Sequence, residues 1–174
     1  MSSRSPTIKL TGYDAGYPLL DSKPFSNKLF PMPQPQVDFY ILQAPNPQER
    51  ERFACKLAEK AWQQNYRVFI YAESSTHAQQ LDNLLWTFRQ DSFVPHEIYV
   101  NSVQPTMPIY IGYDNYIAPE MTVLINLTDT VPDFFFQYQR IAEIVANTET
   151  AKPLGRERYR FYRDKQLELK KHDI

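Results

Sequence analysis

Apolar positions recur along this chain in two periods. VDFYIL (37–42), YRVFIYA (66–72), MPIYIGY (107–113) and MTVLINL (121–127) are short apolar or alternating runs, which predict strands. Between the first two, residues 47–64 place Phe53, Leu57 and Ala61 four apart, with Ala54, Ala58 and Trp62 beside them. That spacing predicts an amphipathic helix, entered at Asn46 as cap and Pro47 in the first turn. Residues 74–88 open on Ser and Thr and carry Ala78, Leu81, Leu85 and Phe88 at helical spacing, a second helix. DTVPDFFFQY (129–138) reads as a loop and a helix start near Pro132. RIAEIVAN (140–147) fits a strand or a helix end; its shortness and the polar break after it favour a strand over 141–146. The charged stretch 150–171 predicts a final helix. Strand, helix, strand, helix with short links implies an α/β fold with a mainly parallel sheet covered by helices.

Residues 1–36 break this pattern. They hold six of the fourteen prolines, and PMPQPQ (31–36) favours extended polyproline geometry. The expectation is an irregular extension over 1–36, with Tyr13, Tyr17 and Phe30 among its apolar anchors, and one domain over 37–174. No apolar run has transmembrane or signal-peptide length, so a cytosolic protein without a membrane partner is expected.

The chemistry that the residues exclude is broad. Four glycines are too few for a Gly-rich phosphate loop, and QAPNPQ after the first strand offers prolines where a phosphate needs N–H donors. No cofactor is therefore expected. His77, His96 and His172 lack ligand spacing, so no metal is expected, and no nucleophile elbow or other catalytic set is present. The single cysteine, Cys55, reads as a small buried apolar residue.

Two features stand out. In LLWTFRQDSFVPH (84–96), Leu85 and Phe88 point inward in line with the preceding Leu81, which leaves Trp86 outward beside Phe93. These aromatics either cap the sheet as core or form a protein-binding patch. The second feature is residues 151–174, with eight basic and four acidic side chains, net +4. The other 150 residues carry eleven basic and sixteen acidic groups. On a helix, Lys152, Arg156, Tyr159, Arg160 and Arg163 fall within an arc of about 100°, with Leu154 and Phe161 opposite as the docking side. The stripe is either a solvated face or a receptor for an acidic peptide or a nucleic-acid backbone.

VDFYIL, LDNLLWTFRQDSFVPH (81–96), VLINLTDTVPDFF (123–135) and RERYRFYR (156–163) stand in the order found in the chi subunits of bacterial DNA polymerase III holoenzyme, and from Val37 onward the chain resembles that family. The Pro-rich extension is extra to the pattern. The resemblance implies a Rossmann-like three-layer fold without nucleotide or catalysis. It implies an accessory subunit that binds the acidic, Phe-ended C-terminal tail of single-stranded DNA-binding protein. Matched position by position, the tail site is Val145, Lys152, Arg156, Tyr159 and Arg160. It also implies a psi-binding surface at Trp86 and Phe93, linking the chain to the clamp loader, with a repair helicase as an alternative partner there. DNA contact would be indirect and the free subunit a monomer. The rival readings are a direct single-stranded nucleic-acid binder on the same stripe and a degenerate nucleotide hydrolase.

Overall fold

In the computed structural model, the described residues are 34–174 apart from 45, 47, 92 and 102–105. The expectations for residues 1–33 and for Pro47 lie outside them. The order is β1 (Gln36–Ile41), α1 (Glu49–Gln63), β2 (Val68–Tyr71), α2 (Ser75–Thr87), β3 (His96–Ile98), β4 (Ile109–Gly112), β5 (Val123–Asn126), a short 3-10 turn (Phe135–Gln137), β6 (Arg140–Val145), α3 (Ala151–Asp164) and β7 (Glu168–Asp173). The strands form one sheet in the order β3-β4-β2-β5-β6-β1-β7. Every pairing in it is parallel. This is the three-layer, Rossmann-like arrangement.

A parallel sheet is covered on both faces, so its central strands are apolar on both. One core packs Ala54, Ala58, Leu81 and Leu85 of α1 and α2 on Ile70, Ile125 and Ile144. The other packs Tyr162 of α3, with the 129–138 loop, on Val37, Phe39, Phe69 and Ile141. Two-sided burial also explains β6. Ile141 and Val145 face α3, while Ala142 and Ile144 face the other helices.

Local capping follows the side chains. Ser74 accepts the His77 N–H at 3.2 Å and starts α2. α1 begins two residues later than expected, with Gln48 as its cap residue. Asn46 still serves the entry, its side chain accepting the Gln48 N–H at 3.0 Å. The expected helix start in 129–138 is one 3-10 turn only.

The C-terminal segment departs most from expectation. The helix ends at Asp164, and Glu168–Asp173 is a seventh strand beside β1. Gln166 makes the reversal at φ 59, a left-handed position usually given to Gly or Asn. β3 was likewise not expected; it spans three residues, too few for a periodic signal.

Candidate functional site

The inward stripe of α3 is Gly155, Arg158 and Tyr162, all buried. Leu154 is half-buried, and Phe161 sits at the rim, edge-on to Phe135 at 5.7 Å, so it is not the expected docking anchor. Arg158, one of the eight basic residues of the C-terminal segment, is only 5% exposed. Its Nε donates to Glu143 Oε2 at 2.7 Å, and its Nη1 to the Asp129 carbonyl at 3.0 Å. Glu143, wholly buried on β6, also accepts from Tyr162 Oη at 2.8 Å and Asn126 Nδ2 at 3.0 Å. Burial pushes the Glu143 carboxyl up, against the opposing pull of Arg158 and the Asn126 and Tyr162 hydrogen bonds. This network pins α3 to β5 and β6. Gly155 completes the seat, since a Cβ there would stand 2.9 Å from both Val145 methyls.

So seated, α3 forms one wall of a cavity of about 310 Å³ beside β1 and β7. Its floor is apolar: Phe39 and Ile41 of β1, Val145 of β6, and Gly155. Tyr159 packs edge-on against Phe39, with ring centroids 5.2 Å apart. Lys152 and Arg156 line the α3 side, and Lys171 lines the β7 side. An apolar slot ringed by cations can hold an apolar side chain while pairing nearby carboxylates.

Four of the five residues expected from sequence for the tail site, Val145, Lys152, Arg156 and Tyr159, meet at this cavity. Arg160 is exposed one turn beyond Arg156, outside the lining. Arg163 is exposed as well, its Nη2 3.1 Å from Asp164 Oδ1. Sequence reasoning did not find Phe39, Ile41, Gly155 or Lys171. Alternation along β1 puts Phe39 and Ile41 on one face, but which helix that face meets is not written in the strand. Lys171 was assigned to a helix.

Trp86 and Phe93 lie elsewhere. They are 48% and 72% exposed, so they are not core. Their rings touch at 5.4 Å, and Trp86 also leans on His96 at 4.7 Å. His96 is buried, with one ring nitrogen 2.6 Å from the Val94 carbonyl and the other 3.2 Å from the Asp82 carbonyl. The aromatic pair therefore stands on a held base at the β3 edge. The cavity lies near the β7 edge, centred on β1, roughly 24 Å across the sheet at about 4.8 Å per strand spacing.

Cys55 is buried in the core, and burial pushes its thiol up to about 12. Among the described residues no group of His, Cys, Asp and Glu side chains is arranged to hold a metal ion. None of their helices is long and apolar enough to cross a membrane.

The fold is similar to the crystal structure of T4 UvsW, at a TM-score of 0.56 and 10% identity. That likeness covers 81% of this chain and 41% of the other, and bears on fold alone. Sequence comparison is more specific. A relative named DNA polymerase III subunit chi from Pseudomonas aeruginosa is 33% identical over 139 residues, covering 80% of this chain and 96% of its own. Those of the same name from Haemophilus influenzae and Escherichia coli are 33% and 30% identical, covering 76% and 65% of this chain and 90% and 78% of their own. The profile of the family described as DNA polymerase III chi subunit, HolC, matches residues 34–170. The chain thus belongs to the DNA polymerase III chi subunit family, a family of replication accessory subunits.

Proposed function

We propose that this subunit is a non-catalytic tether, which holds the acidic C-terminal tail of single-stranded DNA-binding protein at the α3 cavity and docks psi, hence the clamp loader, at Trp86 and Phe93. The observation that carries the reading is the chemistry of the cavity. Its floor is apolar and its rim cationic, with Val145, Lys152, Arg156 and Tyr159 together. A terminal Phe enters between Val145 and Tyr159. Tail carboxylates pair with Lys152 and Arg156, and Arg160 meets those further up the tail. The two partners occupy opposite edges of the sheet, so both are held at once.

Charge pairs at a partly open site weaken with salt. Calorimetric titration with the C-terminal peptide of the organism's own single-stranded DNA-binding protein should give binding that fades as salt rises. Arg156→Ala should lose the peptide and keep the fold, because that side chain is exposed. Salt-independent affinity, or wild-type affinity in the variant, would reject the cationic clamp. Affinity for bare single-stranded DNA at the same residues would favour the direct nucleic-acid reading instead.

A further inference from the structure

We propose that Lys171 is a further binding residue of the α3 cavity, and that from the β7 wall, across the slot from Lys152 and Arg156, it pairs the α-carboxylate of the apolar C-terminal residue bound there. The inference rests on the peptide-binding reading of this cavity.

β7 runs parallel to β1, with Lys171 opposite Phe39. Side chains paired across two strands share a face, and Phe39 forms part of the cavity floor. Lys171 therefore stands over the slot from the side opposite α3. Asp173, two residues on and on the same face, lies 3.1 Å from the Lys171 ammonium; both side chains are mostly exposed, so this weak pair gives way to an incoming carboxylate. The preceding Lys170 faces the other way, its Nζ donating to Gln36 Oε1 at 3.3 Å. One strand thus supplies a cation at the slot and an equal charge on the opposite face.

The floor determines why a chain end fits. Phe39, Ile41, Val145 and Gly155 offer the occupant no polar partner from their side chains, so the residue that enters is apolar. An apolar residue inside a chain brings no carboxylate of its own. At the C-terminus it brings one on its own backbone, beside the buried side chain. Cations on both sides of the mouth are placed for that group.

The test is a double-perturbation cycle on the full-length protein. A synthetic peptide of Asp residues ending in Phe is titrated as the free acid and as the C-terminal amide. The proteins are wild type, Lys171→Ala and Lys170→Ala. Lys171→Ala should weaken the free acid about five-fold, as for a partly exposed charge pair, and Lys170→Ala less than about two-fold. Amidation should weaken wild-type binding by about ten-fold, and by clearly less in Lys171→Ala. A purely structural role for Lys171 would leave the amidation ratio unchanged. Equal effects of the two substitutions, or an unchanged amidation ratio in Lys171→Ala, would overturn the assignment while leaving the peptide site in place. Failure of the wild-type protein to bind either peptide would instead remove the site itself, and this role with it.

Discussion

Replacing Arg158 by Met isolates the buried ion pair that seats α3. The substitution keeps an unbranched side chain of similar length but removes the charge facing Glu143, which is 0% exposed. Tyr162 and Asn126 still donate to Glu143, yet neither supplies a positive charge. Without Arg158 the carboxyl, already pushed up by burial, rises further and takes a proton. Wild type already bears part of the cost, since burial holds the Glu143 carboxyl above its ordinary value; the variant adds about 1.4 kcal/mol for each pH unit above that raised folded pKa, so about 3.5 kcal/mol near pH 7 is the ceiling. Losing the bond to the Asp129 carbonyl adds about 1 kcal/mol, and the apolar Met stem offsets a similar amount. The net, at most about 3–4 kcal/mol, reaches the range for breaking one partner of a buried pair. Its sign with pH follows. The folded variant keeps a proton that folded wild type releases above its own raised pKa, so the penalty relative to wild type grows as pH rises beyond that point. Urea denaturation of Arg158→Met should show up to about 3–4 kcal/mol lost near pH 7 and clearly less near pH 5. Adding Glu143→Gln should flatten that dependence. A loss below about 1 kcal/mol at neutral pH, or a loss independent of pH, would refute the argument.

The buried Asp38 carboxylate predicts acid sensitivity. Burial pushes its carboxyl up, but hydrogen bonds from His172, Arg140 and Gln36 and the Arg140 charge outweigh this and hold it below the ordinary value. Its contribution is complete above the unfolded pKa of about 3.9 and is lost as pH falls from there; Asp38→Asn should flatten this acid limb in thermal melts. Gly155→Ala gains about 1 kcal/mol of helix propensity but drives a methyl to 2.9 Å from the Val145 side chain. Overpacking against a stiff β-branched partner costs about 1–3 kcal/mol, so the variant should be less stable and bind tail peptide more weakly; a rise in both would reject the close-approach role. Trp86→Ala and Phe93→Ala should abolish psi binding in pull-down while changing stability by no more than about 1 kcal/mol, since both rings are largely exposed. Cys55, with its thiol pushed up to about 12, should alkylate only on unfolding, which iodoacetamide labelling followed by mass measurement would check.

Much of the fold was legible because it depends on local periodicity. The α2 register placed Leu81 and Leu85 inward and Trp86 outward, and the structure agrees, since one turn of helix fixes which positions share a face. β6 was legible as a strand for a weaker reason, its length, because a strand buried on both faces loses its alternation. The meeting of Val145, Lys152, Arg156 and Tyr159 at one cavity was legible mainly through family resemblance; helical spacing alone grouped Lys152, Arg156, Tyr159 and Arg160 but left their purpose open.

What stayed hidden depends on partners far along the chain. Arg158 reads as one more cation in RERYRFYR, and nothing near it reveals that Glu143 waits beneath. β7, ELKKHD, has no apolar period, and its strand state comes from hydrogen bonding to β1, some 130 residues earlier. Lys171 could not be assigned to the cavity until that pairing set its face. The sequence by itself determined most of the elements, the buried faces of α1 and α2 and the excess of cations near the C-terminus, because these follow from side-chain spacing over a few residues. Only the tertiary structure decided which cations are buried and which line a cavity, because burial and charge pairing depend on chain segments that meet only after folding.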